Sequence, residues 1–133
     1  MQPLVRPGAD VLVGVVTDPD LGPVMAVGLG GRQAGLGRTA AFSVLPATDV
    51  EADELIDGSE GVSMLLDGFR GAPKLDRAAL SELVLRFALL VRTVPELSEA
   101  DLNPVRCTAS GCVVLDLRVR IGQHRAPERV KTW

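Results

Sequence analysis

The clearest pattern in the chain lies near its C-terminal end. Val113, Leu115, Leu117, Val119 and Ile121 alternate with the charged residues Asp116, Arg118 and Arg120. A period of two is the signature of a strand with one buried face. It predicts that the five apolar residues look one way and the charged ones the other. The segment from Glu99 to Cys107 reads as its antiparallel partner. Thr108-Ala109-Ser110-Gly111 is small and polar with a late glycine, and reads as a four-residue hairpin loop that pairs Cys107 with Cys112. Counting outward, Asn103 falls opposite Asp116, Asp101 opposite Arg118, and Glu99 opposite Arg120.

Earlier in the chain the patterns are shorter. Val11 to Val16 is a continuous apolar run, more like a buried strand than an alternating one. Thr17-Asp18-Pro19-Asp20 and Leu21-Gly22-Pro23 are strong turn signals, so Val24 to Leu29 reads as the second arm of a hairpin. Thr39 to Leu45 is a third strand, ended by Pro46. Thr48 and Glu51 form a capping box that opens a helix over Asp49 to Asp57, closed by Gly58. Ser63 to Asp67 is either a turn of helix or an extended link. Asp76 is placed to cap a long helix from Arg77 to Arg92. Leu80, Leu83, Val84, Phe87 and Val91 make its main apolar stripe, and Leu85 and Leu89 predict cover on a second face. Three strands, two helices and two strands in that order predict an α+β fold.

Composition narrows the picture. At 133 residues the chain is one domain by length. Apolar residues make up 47% but aromatic ones only 3%, so the core must be built from Val, Leu and Ala. A net charge of −3 is too mild to suggest nucleic acid or an anionic membrane surface as a partner. No apolar run approaches the roughly 20 residues of a membrane span. The start carries no basic region followed by a long apolar one, so no secretory signal is expected and the setting is read as cytoplasmic.

Candidate chemistry is sparse. Directly opposed strand residues have Cβ atoms about 4.5–5.5 Å apart. At that separation the oxygens of Asn103 and Asp116 can share one Mg²⁺, which takes hard oxygen ligands at about 2.1 Å; the plainer alternative is a solvated polar face. Gly30-Gly31, with Gly35 and Gly37, makes a loop whose N–H groups could cradle phosphate, or simply a turn with positive φ angles. Arg70, between Gly68 and Gly71, could reach an anion or a neighbouring domain, or be a surface arginine. Cys107 and Cys112 are placed to face each other, and a reducing compartment would keep them as thiols. Two cysteines without a further Cys or His cluster do not make a zinc site. His124, the only histidine, sits in a tail of Gly, Gln, Arg and Pro and has no nucleophile in a recognisable setting.

Several motifs share one resemblance. Gly14-Val15-Val16-Thr17-Asp18-Pro19-Asp20-Leu21-Gly22-Pro23, the loop Gly28-Leu29-Gly30-Gly31, Leu66-Asp67-Gly68-Phe69-Arg70-Gly71-Ala72-Pro73, and Asp101-Leu102-Asn103-Pro104-Val105 with Leu115-Asp116 follow in order from about Gln2 to Ile121. Together they resemble the C-terminal lobe of the ATP-grasp region in nucleoside-diphosphate-forming acyl-CoA synthetases, relatives of succinyl-CoA synthetase. The resemblance implies a mostly antiparallel sheet backed by helices over residues 1–122, with 123–133 as a tail. It implies ATP and Mg²⁺ as ligands, with Asn103 and Asp116 on the metal and Gly30, Gly31 and Arg70 toward the cofactor. Catalytic residues, the second ATP-grasp lobe and the CoA-binding domain would lie elsewhere in the parent protein. An open lobe face could also pair with a second copy of the chain.

The departures are specific. Where the family usually has a Glu, a Lys-Asp pair and an Arg after its glycine loop, this chain has Gly35, Arg38, Thr39 and Ser43, and a glutamate near the first strand becomes Asp10. Two readings follow. One is the Mg-ATP-binding lobe of an ADP-forming acyl-CoA synthetase-like protein, eroded and inactive alone. The other is a non-catalytic regulatory or interaction domain of a protein lysine acetyltransferase, because Ala126 to Trp133 is similar to the tails of actinobacterial proteins that fuse this region to an acetyltransferase.

Overall fold

A computed structural model describes residues 8–30 and 40–122. Gly31, Gly35, Gly37, Arg38, Thr39, His124 and the tail lie outside the described residues. The order is β1 (Ala9–Asp18), β2 (Gly22–Leu29), β3 (Ala41–Val44), α1 (Asp49–Gly58), α2 (Glu60–Leu66), a 3₁₀ turn (Phe69–Gly71), α3 (Arg77–Thr93), β4 (Leu97–Thr108), β5 (Gly111–Val114) and β6 (Leu117–Ile121). The expected α+β class holds, and the doubtful stretch before Asp67 is the helix α2. All strand pairs are antiparallel, in the order β3-β2-β1-β4, with β5 and β6 both pairing β4.

Alternation decides which face is covered. Val11, Val13 and Val15 of β1 lie beside Leu29, Val27 and Met25 of β2, and all six are buried beneath the helices. Leu80, Val84, Phe87, Ala88 and Val91 of α3 complete a core that is almost wholly aliphatic. Leu85 packs at its edge, but Leu89 is exposed, so the second apolar face of α3 is only partly covered. The caps form as the sequence predicts. Glu51 N–H donates to Thr48 Oγ1 at 3.1 Å, Ala47 N–H donates to Glu51 Oε1 at 2.7 Å, and Ala79 N–H donates to Asp76 Oδ1 at 3.0 Å.

The C-terminal hairpin keeps its expected register but not its expected faces. Asp101 pairs with Arg118, Glu99 with Arg120, and Cys107 with Cys112. The tip is tighter than a four-residue loop. Thr108 pairs with Gly111, whose φ of 149° favours glycine, and only Ala109 and Ser110 turn the chain. The larger change is a bulge in the β1–β4 ladder: Val11 pairs with Val105, but Val13 pairs with Leu102. Two residues of β4, Asn103 and Pro104, thus stand against Leu12. Proline lacks the N–H a regular ladder needs, so a bulge is where a strand tolerates it.

The partner arm adapts. Leu115 N–H donates to Pro104 O at 2.9 Å, and in the next pair Asn103 N–H donates to Asp116 O at 3.1 Å. A regular antiparallel ladder bonds alternate pairs, not consecutive ones. The alternation slips by one here. Val113 stands opposite Arg106 on the open face, while Leu117 and Val119 stand opposite Leu102 and Ala100 on the helix side. The five apolar residues therefore do not share a face. Nor is β6 half-buried: all its residues are exposed, because α3 packs on β5 whereas the main neighbour of β6 is β4.

Candidate functional site on the open sheet face

The face away from the helices carries the residues the core rejects. On β1 these are Asp10, Leu12 and Gly14; on β4, Glu99, Asp101 and Arg106. The β4–β6 part is a charge lattice. Arg120 Nε lies 3.7 Å from Glu99 Oε1, and both side chains are largely exposed. A Cβ on Gly14 would lie 3.5 Å from Asp101 Oδ1, an ordinary contact, so that acid sits beside the first strand.

The bulge creates a tightly built point. Gly30, at the end of β2, donates its N–H to Asp10 O at 3.0 Å. A Cβ on Gly30 would fall 2.8 Å from Asn103 Oδ1 and 2.8 Å from the carbonyl carbon of Val11. The Asn103 carboxamide thus fills the space that a side chain at Gly30 would need. Asp116 lies across the ladder from Asn103, and its Oδ1 accepts the N–H of Leu117 at 2.9 Å. The two oxygen-bearing residues singled out from the sequence are opposite one another, joined by a backbone hydrogen bond, with one glycine of the loop against the first of them.

Arg70 lies apart from that point. It sits in the α2–α3 connection with a left-handed φ of 56° between Gly68 and Gly71, both also at positive φ. Its guanidinium stacks over the Phe69 ring, 5.0 Å from the centroid. Phe69 itself lines a cleft with Gly8, Ala9 and Pro73, which places the turn at the sheet end where β1 begins. Gly31, the second loop glycine, lies outside the described residues.

Sequence reading missed one pair. Asp10 and Arg106 are register partners across β1 and β4 and form a close, largely buried ion pair on the open face. The hydrogen bond to Asp10 holds the Arg106 guanidinium above its ordinary pKa. The two are 96 residues apart, and no local pattern reports a pairing at that separation. Ser43, at another family position, donates its hydroxyl to Val44 O at 2.6 Å. Among the described residues, no three His, Cys, Asp or Glu side chains converge as a metal cage. Among them, too, no helix is long and apolar enough to cross a membrane.

Comparison with known proteins agrees with this architecture. Residues 1–121 match the ATP-grasp domain family. A 4-hydroxybutyrate–CoA ligase (ADP-forming) from Nitrosopumilus maritimus is 36% identical over 118 residues, which is 87% of this chain and 17% of that protein. The beta subunit of acetate–CoA ligase (ADP-forming) II from Pyrococcus furiosus is 32% identical over 120 residues, 88% of this chain and 50% of the subunit. The solved dinucleotide-forming acetyl-coenzyme A synthetase 1 of Ca. Korarchaeum cryptofilum, in complex with coenzyme A and Mg-AMPPCP, superimposes with a TM-score of 0.82 at 32% identity, covering 89% of this chain and 55% of that one. The chain thus spans about half the length of the beta subunit and under a fifth of the longer ligase. Its sheet order, its helix layer and nearly its whole sequence are accounted for by one family, and the chain belongs to the ATP-grasp domain family.

Proposed function

We propose that this chain is the Mg²⁺- and ATP-binding lobe of an ADP-forming acyl-CoA synthetase, working with a second nucleotide-binding lobe and a CoA-binding domain supplied by the rest of that enzyme. The observation that carries the reading is the Asn103 carboxamide set against Gly30, with Asp116 opposite it in register. Mg²⁺ is commonly held by one or two protein oxygens and completes its shell with water and phosphate. A carboxamide and a carboxylate suit that role without a larger acidic cage. Asp116 uses one acceptor position on the Leu117 N–H, and a carboxylate has about four. When bound, the ion would neutralise charge on the phosphates.

In this reading the other residues have simpler tasks. Gly30 lets the backbone at the end of β2 approach the anion. Arg118 and Arg120 balance Asp101 and Glu99, and Arg70 meets an anion or a neighbouring domain at the edge of the lobe. The setting is cytoplasmic, where Cys107 and Cys112 would rest as thiols.

A second reading, a non-catalytic interaction domain, is favoured by one feature. Asp10 stands where the family resemblance implies a glutamate, and Arg106 already neutralises it. Calorimetric titration of Mg-ATP separates the two, using the chain within its complete synthetase and the Asp116→Ala variant. The first reading expects binding that weakens by at least roughly tenfold, about 1.4 kcal/mol, in the variant. Equal affinity in the two proteins, or no binding by either, sinks it. Sedimentation of the isolated chain reports whether the open face pairs with a second copy instead.

A further inference from the structure

Cys107 and Cys112 do not contribute to the open face. They are cross-strand partners on the helix side of the hairpin, one pair in from its two-residue tip. Thr108 and Gly111 close that tip, so the next pair inward is a non-hydrogen-bonded one, where opposed Cα atoms come to about 4.5 Å. That spacing lies within the range a disulfide accepts. Both cysteines are free, and their sulfurs are hydrogen-bonded at 3.0 Å.

We propose that Cys107 and Cys112 form an oxidation site that closes to an intramolecular disulfide by exchange with a small-molecule disulfide. The two thiols differ in access. Cys107 is fully buried, whereas Cys112 lines a surface groove with Leu83, Phe87 and Leu102. Cys112 is therefore the attacking group and Cys107 the resolving one. Hydrogen bonding between the sulfurs lowers the Cys112 pKa and, together with burial, keeps Cys107 protonated far above the ordinary thiol range. Two acids act on the pair: Asp10 and Asp76 both oppose ionisation of Cys107, and Asp76 opposes that of Cys112. The Asp76 backbone oxygen lies 3.9 Å from Cys112 Sγ, and its N–H donates to Thr108 O at 2.8 Å, so the hairpin tip is fixed to the cap of α3.

The exchange balances. The Cys112 thiolate attacks one sulfur of the small disulfide and expels a small thiolate, leaving a mixed disulfide. Cys107 then gives up its proton and attacks Cys112 Sγ, expelling the second small thiol. Two electrons pass from the protein dithiol to the small disulfide, which ends as two thiols. A bridge so placed would staple β4, which carries Asn103, to β5, which ends two residues before Asp116, although the proposal does not depend on any ligand there.

The test is intact-mass spectrometry of the reduced, purified full chain after exposure to oxidised glutathione, with remaining thiols alkylated. The wild type is expected to lose both thiols together and to end lighter by two hydrogens, with no glutathione retained. Cys107→Ser should stop at a glutathione adduct on Cys112, and Cys112→Ser should stay reduced. A wild type that retains glutathione, keeps both thiols, or links into covalent dimers overturns the proposal. That wild-type measurement stands even if a variant fails to fold.

Discussion

The two faces of the sheet are made from alternate residues of the same strands, yet they answer to different forces. On the helix side, Val11, Val13, Val27 and Val105 are completely buried, and apolar contact alone accounts for each. On the open side, Asp10 and Arg106 hold one another, Asn103 rests against Gly30, and Val16 is 50% exposed. Burial on one face fixes the register. That fixed register then presents polar groups on the other at set spacings, with no need for a core beneath them. The hairpin bulge is where the two sets of demands meet. It shifts the alternation so that Leu102 and Val105 can both face the helices, and it leaves Asn103 between them turned toward Gly30.

Charge insertion breaks this comparison most sharply. Val13→Asp puts an unpaired carboxylate in the core and should cost more than about 4 kcal/mol, enough to leave the chain unfolded in a urea melt. Val16→Asp, three residues along on the same strand, should shift stability by no more than about 0.5 kcal/mol. Equal effects would mean the faces are not distinguished as described. Next in size is Gly30→Ala, whose Cβ meets the Val11 backbone and Asn103 Oδ1. Overpacking of this kind costs about 1–3 kcal/mol, readable as a lowered urea midpoint. The strain should also displace Asn103, so Mg-ATP affinity ought to fall with it.

The ion pairs sharpen the comparison at a smaller scale. Arg106→Ala strands a largely buried Asp10 and should cost about 1–3 kcal/mol. Arg120→Ala removes a pair at 3.7 Å between side chains that are mostly in solvent, and should cost at most about 1 kcal/mol. A double-mutant cycle on each pair measures the difference. Thr48→Ala removes the side-chain cap of α1 and should cost about 1 kcal/mol by thermal melting. A larger loss would show that α1 depends on its cap more than on its packing.

Some of this was plain in the sequence because it is local. The Thr48 and Asp76 caps, the long helix beginning at Arg77, and the pairing of Cys107, Asp101 and Glu99 with their partners depend on residues near one another in the chain, or on counting outward from one turn. The order of motifs from Gln2 to Ile121 also points to the ATP-grasp family. Where local pattern was followed too literally, it misled. Strict alternation through Val113, Leu115 and Leu117 ignores the slip at Asn103-Pro104, and an amphipathic β6 need not be covered when α3 packs on β5 instead.

Composition and periodicity therefore determined that this chain would be an α+β domain with an aliphatic core, and they fixed the hairpin register that sets Asn103 opposite Asp116. Only the tertiary structure decided that Asp10 meets Arg106, that Gly30 makes room for Asn103, and that β6 lies bare. The reason is physical. Hydrogen-bonded ladders between neighbouring segments are set by spacing along the chain, whereas contacts across β1, β2 and β4 exist only once the β1–β2 hairpin and the distant β4 have been drawn onto one core.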